Sequence, residues 1–270
     1  MECTEYENNE PIRKGKTVSQ SFRSPKIMEL ARRDGKVTVE GLADHFGVTV
    51  QTIRRDLRDL SDSGALDKVH GGAVMPSGIF NIKYNDRIEL NYSSKVLIAK
   101  MCAKNIPNDN AIFLNIGTTT EAVARELIGH KKLLVITNNL NVANILRDNQ
   151  ECEIVITGGN LRRSDGGLIG DAAVEIISRF KFDIAVIGCS AVDQDGDMLD
   201  YDMQEIIVSQ NIIKQSRKIF LVADSTKFSR KAPIKIASLS EVNCIFTDKP
   251  LDKNLQDACL AWNTEIRSTS

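Results

Sequence analysis

Apolar residues follow two different rhythms along this chain. Between Ser24 and Gly64 they recur at helical spacing, and from Phe113 onward they bunch into short runs of strand length. In the first region Ser24 is suited to cap a helix and Pro25 to occupy its first position, with Ile27, Leu30 and Ala31 as the apolar stripe and Gly35 as the stop. Thr38 opens a second short helix, with Val39, Leu42, Ala43 and Phe46 on one face and Gly47 after it. Thr49 opens a third, running to about Ser63 with Gly64 beyond. The run LDKVHGGAV then reads as two short strands about Gly71-Gly72. Residues 1–22 are polar and read as a disordered tail, and residues 76–92 show little periodicity and read as a linker.

Beyond that linker the runs FLNIG, LLVIT, EIVITGG, DIAVIGC and KIFLVAD alternate with amphipathic helical stretches. Short buried strands alternating with helices predict a mainly parallel sheet with helices on both faces. The expected architecture is therefore an N-terminal winged helix-turn-helix over residues 23–75, followed by an α/β domain over residues 93–270.

On a helical wheel of ~100° per residue, Ile53, Leu57 and Leu60 of the third helix share a face, with Val50 at its edge. Gln51, Arg55 and Arg58 fall opposite and Arg54 at the side. A solvated amphipathic helix gives the same wheel. Here, however, it follows a second short helix across a tight Gly turn and precedes a wing-like hairpin carrying Lys68 and His70. Arg and Gln can pair with base edges in a major groove. Thr38, Thr49 and Thr52 suit phosphate or base contacts near helix starts.

Charge supports this reading modestly. Net charge is -1 overall, yet residues 11–74 hold twelve Lys/Arg against eight Asp/Glu. The acidic, polar N-terminus lacks the features of a signal peptide, and no apolar run is long enough to cross a bilayer, so a cytoplasmic location is expected. Six scattered cysteines and three distant histidines have no metal-ligand spacing.

Several predicted strands end in groups suited to a phosphorylated polyol. IGTTTEA places Gly117, Thr118, Thr119 and Thr120 at a helix start, where backbone N–H groups favour anions. Asn138, Asn139 and Asn141 follow the next strand. Gly158, Gly159 and Arg162 or Arg163 follow the third, then Asp193, Asp195, Asp197, Asp200 and Glu205, and finally Asp224, Ser225 and Lys227. In a parallel sheet such loops converge at the carboxyl ends of the strands. There is no GxGxxG or GxxxxGK[ST], and the DQDGD run departs from a calcium loop, so no cofactor or metal is expected.

The stretch VTVEGLADHFGVTVQTIRRDLRDLSDSGAL, continued by VHGGAV, resembles the DeoR family of bacterial regulators, with TVQTIRRDL its most specific part. The likeness extends through most of residues 23–250 and implies that residues 37–56 are the helix-turn-helix. It also implies a sensor domain similar in fold to phosphosugar isomerases. The implied effector is a phosphorylated sugar or polyol, held by Gly117, Thr118, Thr119, Thr120, Asn138, Asn139, Gly158, Gly159, Gly188, Ser190, Asp193, Glu205, Asp224 and Lys227. The run ITNNLNVANIL with TGGNLRRSDGGLIGDA looks closest to the family's glycerol 3-phosphate branch. This chain departs from it at Thr120, where a Pro is expected, and at Ser225, where a His is expected. The partners implied are double-stranded operator DNA and that effector, in a homodimer or homotetramer that meets symmetric half-sites. The alternative is an enzyme using Glu205, Asp224 and Lys227 for aldose–ketose isomerisation, for which the DNA-binding segment has no purpose.

Overall fold

The computed structural model describes residues 20–34, 36–74 and 84–269, and the chain divides into two compact units between Met75 and Pro76. The N-terminal unit comprises α1 (Gln20–Asp34), β1 (Lys36–Thr38), α2 (Val39–Phe46), α3 (Val50–Asp62), β2 (Asp67–Val69) and β3 (Gly72–Val74). Helix α1 already runs at Gln20, so residues 20–22 are helix rather than tail, and Ser24 is not its cap. The Ser24 hydroxyl instead donates to the Gln20 carbonyl at 3.2 Å, and Pro25 lies inside the helix. The predicted stop at Gly35 and the tail up to residue 19 lie outside the described residues.

Thr38 and Thr49 cap α2 and α3, their hydroxyls accepting from the N–H groups of Gly41 and Thr52, and Gly47 closes α2 in the left-handed conformation at φ 63°. Ile27, Ala31, Leu42, Ile53 and Leu57 form the core between the helices. Two features escaped the pattern. Strand β1 pairs antiparallel with β3 and places β3 centrally, and Gly72 is required there because a Cβ would stand 1.9 Å from the Val37 carbonyl oxygen. Asp56 is buried within α3 and holds the buried Arg23 through two hydrogen bonds of 2.6 and 3.0 Å.

The C-terminal unit opens with α4 (Tyr84–Glu89) and α5 (Tyr92–Ala103), so the predicted linker is helical from Tyr84 on, and residues 75–83 lie outside the described ones. It continues through β4 (Ala111–Leu114), α6 (Thr118–Glu126), β5 (Leu133–Thr137), α7 (Leu140–Leu146), β6 (Cys152–Ile156), β7 (Asn160–Arg162) and β8 (Gly167–Ile169). Then come α8 (Asp171–Ser178), β9 (Phe182–Ile187), β10 (Ala191–Val192), β11 (Asp197–Asp200), α9 (Met203–Gln215) and β12 (Ser216–Val222). Last are β13 (Ile234–Ser238), β14 (Cys244–Thr247), α10 (Lys253–Ala261) and β15 (Glu265–Ser268).

Seven strands form a parallel sheet in the order β15-β14-β12-β9-β4-β5-β6. Period-two alternation sends Ile112, Leu114, Ile184, Val186, Phe220 and Val222 to a core under α5, α6 and α7. It sends Phe113, Ala185, Ile187 and Leu221 to the opposite core under α8, α9 and α10. Strands β10, β11 and β13 make a small antiparallel sheet, and β7–β8 a hairpin. The chain winds from β4 out to β6, then returns past β4 to β9 and out to β15. The winding direction thus reverses between β4 and β9, where doubly wound sheets open a crevice at their carboxyl ends. No described helix is long and apolar enough to cross a membrane.

Candidate functional site

On the N-terminal unit, α3 presents Gln51, Arg54, Arg55 and Arg58 to solvent while Ile53 and Leu57 are buried beneath them. Thr49 and Thr52 hydroxyls meet at 2.9 Å at the helix start, so together with Thr38 they shape the helix entrances. Lys68 and His70 are exposed on the hairpin of β2 and β3. A rigid helix backed by apolar side chains and faced with guanidinium groups, beside an exposed basic hairpin, has the form and charge that a polyanionic groove requires.

On the C-terminal unit, a small cavity of about 40 Å³ lies at the reversal between β4 and β9. The ends of β4, β9 and β12 deliver Gly117 with the three threonines, Gly188 with Ser190, and Asp224 with Lys227. Gly117, at φ 148°, carries no side chain to cap α6, so the first N–H groups of α6 have neither an intrahelical acceptor nor a side-chain cap. Thr120 is fully buried and its hydroxyl lies 2.6 Å from the Gly117 carbonyl oxygen and 2.8 Å from that of Asn115. It therefore holds the loop in shape, while Thr118 stays partly open.

Arg87, Lys95, Lys227 and Arg230 bring positive charge to this cavity, and Asp200, Glu205 and Asp224 bring acid. Burial pushes Lys95 down to about 7; Asp224 resists this, and Lys227, Arg87 and Arg230 add to it. Burial likewise holds Lys227 below the usual lysine range, with Arg230 adding and Asp224 opposing. Burial works against the Asp224 charge, yet Lys227, the Thr226 hydroxyl and Arg230 keep it below the usual carboxylate range. Crowded cations that raise one another's cost are stabilised by an anion placed among them. Glu205 is different: burial, with Asp200 adding, pushes it up to about 7 against the pull of Arg162. Ser190 donates to Asp200 at 3.0 Å, so the Asp200 and Glu205 side of the cavity offers acceptors for hydroxyl groups. Burial pushes the Cys189 thiol up to about 12, which keeps it protonated near neutrality.

The cavity thus gathers Gly117, Thr118, Thr119, Thr120, Gly188, Ser190, Glu205, Asp224 and Lys227 from the residues expected to hold an effector. The remainder stand elsewhere. Asn139 caps α7 and donates to Glu121 at 3.2 Å, and Asn138 donates to the Leu168 carbonyl. Gly158 and Gly159, at φ 70° and 107°, make the turn into β7. Asp193 accepts from Asp195 and Asp197 N–H groups within its own turn. Arg162 does not line the cavity; it bonds Asp165, Asp202 and Glu205 and steadies the last of these from behind. Polar residues at strand ends serve turns and caps as readily as ligands, and the pattern alone does not separate the two roles.

Three basic lining residues were missed. Lys95 had a legible signal: it occupies the buried stripe of α5 with Ile98, Ala99 and Cys102, where an unpaired lysine is out of place. Arg230 stands three residues past Lys227, a spacing that returns a short helix to the same face. Arg87 had no such signal, because α4 is short and buries no residue. Among the described residues no His, Cys, Asp or Glu cluster could hold a metal ion.

A DeoR-like helix-turn-helix domain model matches residues 23–78, and a DeoR C terminal sensor domain model matches residues 90–249. The chain is 46% identical over 230 residues to the glycerol-3-phosphate regulon repressor of Haemophilus influenzae, covering 85% of this chain and 90% of that one. It is 42% identical over 233 residues to the Escherichia coli protein of the same name, covering 86% and 92%. Among solved structures, the probable sor operon regulator from Shigella flexneri is 14% identical at a TM-score of 0.40, covering 70% of this chain and 94% of that one. Ribose 5-phosphate isomerase from Methanocaldococcus jannaschii is 15% identical at a TM-score of 0.39, and the match spans 51% of this chain and about half, 55%, of the isomerase.

Proposed function

Because the chain belongs to the DeoR family of helix-turn-helix regulators, we propose that it represses a carbohydrate or polyol operon under the control of a phosphorylated sugar or polyol. It is a DNA-binding regulator. Its N-terminal unit reads duplex operator DNA through Gln51, Arg54, Arg55 and Arg58, with Thr38, Thr49, Thr52, Lys68 and His70 supporting backbone contacts. A homodimer or homotetramer would present two such helices to symmetric half-sites.

The observation that carries the effector reading is the meeting of the uncapped α6 N-terminus with Lys95, Lys227, Arg230 and Arg87 at the reversal of the sheet. A phosphate there gains N–H donors and counter-charge together. Asp200 and Glu205 would repel it, and suit the hydroxyl groups at the other end of the molecule. Glycerol 3-phosphate is the first effector to test, since the relatives above are named for its regulon. The site acts as a receptor. The fused reading domain supports this, and no exchange of substrate protons is expected with phosphosugars.

Calorimetry on the full chain tests the placement. Glycerol 3-phosphate binds, glycerol binds far more weakly, and Lys227→Ala costs on the order of 1.5–3 kcal/mol. Affinity should fall as pH rises above about 7, where ligand-free Lys95 loses its charge and binding must take up a proton. Equal affinity for glycerol and its phosphate, or an unchanged Lys227→Ala, contradicts the placement. Binding of a different phosphosugar in place of glycerol 3-phosphate contradicts only the choice of effector.

A further inference from the structure

Helix α4 is the first described element after the DNA-reading unit, and it is held unusually. None of its own residues is fully buried, and its apolar anchorage is confined to the partly buried Ile88 and to Leu90 just past its end. Its remaining attachments are polar. The Tyr84 hydroxyl bonds both Glu121 carboxylate oxygens, at 3.0 and 2.9 Å, and accepts from Asn141 at 2.9 Å. Lys95 Nζ donates to the Arg87 carbonyl, and the Thr118 hydroxyl reaches the same oxygen at 3.5 Å. Arg87 itself reaches Asp165 through one long contact of 3.4 Å. Lys95, Thr118 and Arg87 all line the effector cavity. Three of the groups that fasten α4 are therefore groups that an anion in the cavity would engage, while the Tyr84 contacts to Glu121 and Asn141 lie outside it.

Arg87 is the most easily redirected of them. Its Nε is buried and meets no acceptor among the described residues. Its partner Asp165 does not depend on it, because Arg162 already grips both Asp165 oxygens at 2.9 and 2.8 Å and the Gly167 N–H adds a third donor. Departure of Arg87 leaves Asp165 neutralised. For Arg87 the exchange replaces one long contact with a charge-assisted pair to phosphate, which is shorter and stronger.

We propose that Arg87 is the relay of the effector site: it leaves Asp165 for the bound phosphate and carries α4 with it. This rests on the phosphorylated-effector reading of the cavity. Lys95 and Thr118 act in the same sense, since a phosphate draws both away from the Arg87 carbonyl. In sequence, nine residues, 75–83, separate α4 from β3.

The test uses the full chain with glycerol 3-phosphate, inorganic phosphate and other phosphorylated polyols as probes. It follows binding by calorimetry and amide hydrogen exchange over residues 84–90. In the wild type a bound probe should change exchange over 84–90 several-fold. In Arg87→Ala a probe should still bind through Lys227 and the α6 N-terminus, weakened about tenfold, while the exchange over 84–90 no longer responds. A wild-type chain that binds a probe without any change over 84–90 overturns the relay and leaves the effector reading intact. So does an Arg87→Ala chain that binds and responds as the wild type does. A wild-type chain that binds none of the phosphorylated probes overturns the effector reading, and the relay falls with it.

Discussion

Asp56→Ala is expected to destabilise the N-terminal unit by about 3–5 kcal/mol. Asp56 is 1% exposed and Arg23 5%, and the two form a buried ion pair joining α1 to α3. Removing the carboxylate takes from the buried Arg23 guanidinium the two hydrogen bonds of 2.6 and 3.0 Å that tie α1 to α3. Denaturant titration of the full chain, with hydrogen exchange of α3 amides reporting on this unit, measures the loss. Replacing both partners by apolar residues of similar size (Arg23→Met with Asp56→Leu) should recover part of the stability, because a buried ion pair exchanged for packed apolar side chains no longer has a desolvation cost to offset. If Asp56→Ala is as stable as the wild type, the pair does not brace α1 against α3.

The double substitution Arg55→Ala with Arg58→Ala is expected to weaken operator binding by about 2–6 kcal/mol, taking about 1–3 kcal/mol for each bidentate pairing with a base. Both side chains are exposed on α3, opposite Ile53 and Leu57, so the fold should survive their removal. The salt dependence separates their roles. Removing an arginine that grips phosphate lowers the slope of affinity against salt by about 1, whereas removing one that reads a base relaxes sequence preference at one position. Fluorescence anisotropy on a duplex selected from random sequence makes the comparison. A double variant that binds it as the wild type does would place the reading surface elsewhere.

These two sites show what the amino-acid pattern reveals and what it hides. The exposed face of α3 was legible because the helical period sorts Ile53 and Leu57 from Gln51, Arg55 and Arg58 without reference to any other element. Asp56 was not, because its burial depends on Arg23, which lies 33 residues away in sequence. In the sheet, the runs around Phe113, Val135, Ala185 and Leu221 announced buried parallel strands. Strands β14 and β15 and the small antiparallel sheet left weaker signals: β14 is buried throughout but only four residues long, and β15 is largely exposed to partly buried. The cavity was legible at Gly117–Thr120, Asp224 and Lys227, which follow central strands directly. It was illegible at Arg87, which reaches the cavity from a short element that buries none of its own residues. Asn138 and Asn139 stand outside the cavity in capping and hydrogen-bonding positions, and capping and ligand binding call on the same side chains.

If one chain couples a phosphorylated effector to operator DNA, the coupling must be reciprocal, and that reciprocity can be measured. Operator affinity of the full chain is determined by anisotropy without effector and at saturating glycerol 3-phosphate, or at saturation with whichever phosphorylated polyol calorimetry shows to bind. Effector affinity is then determined with and without saturating operator. The effector is expected to change operator affinity by roughly 5–150-fold, and the operator to change effector affinity by the same factor. Operator affinity that stays constant at full effector occupancy would contradict the coupling.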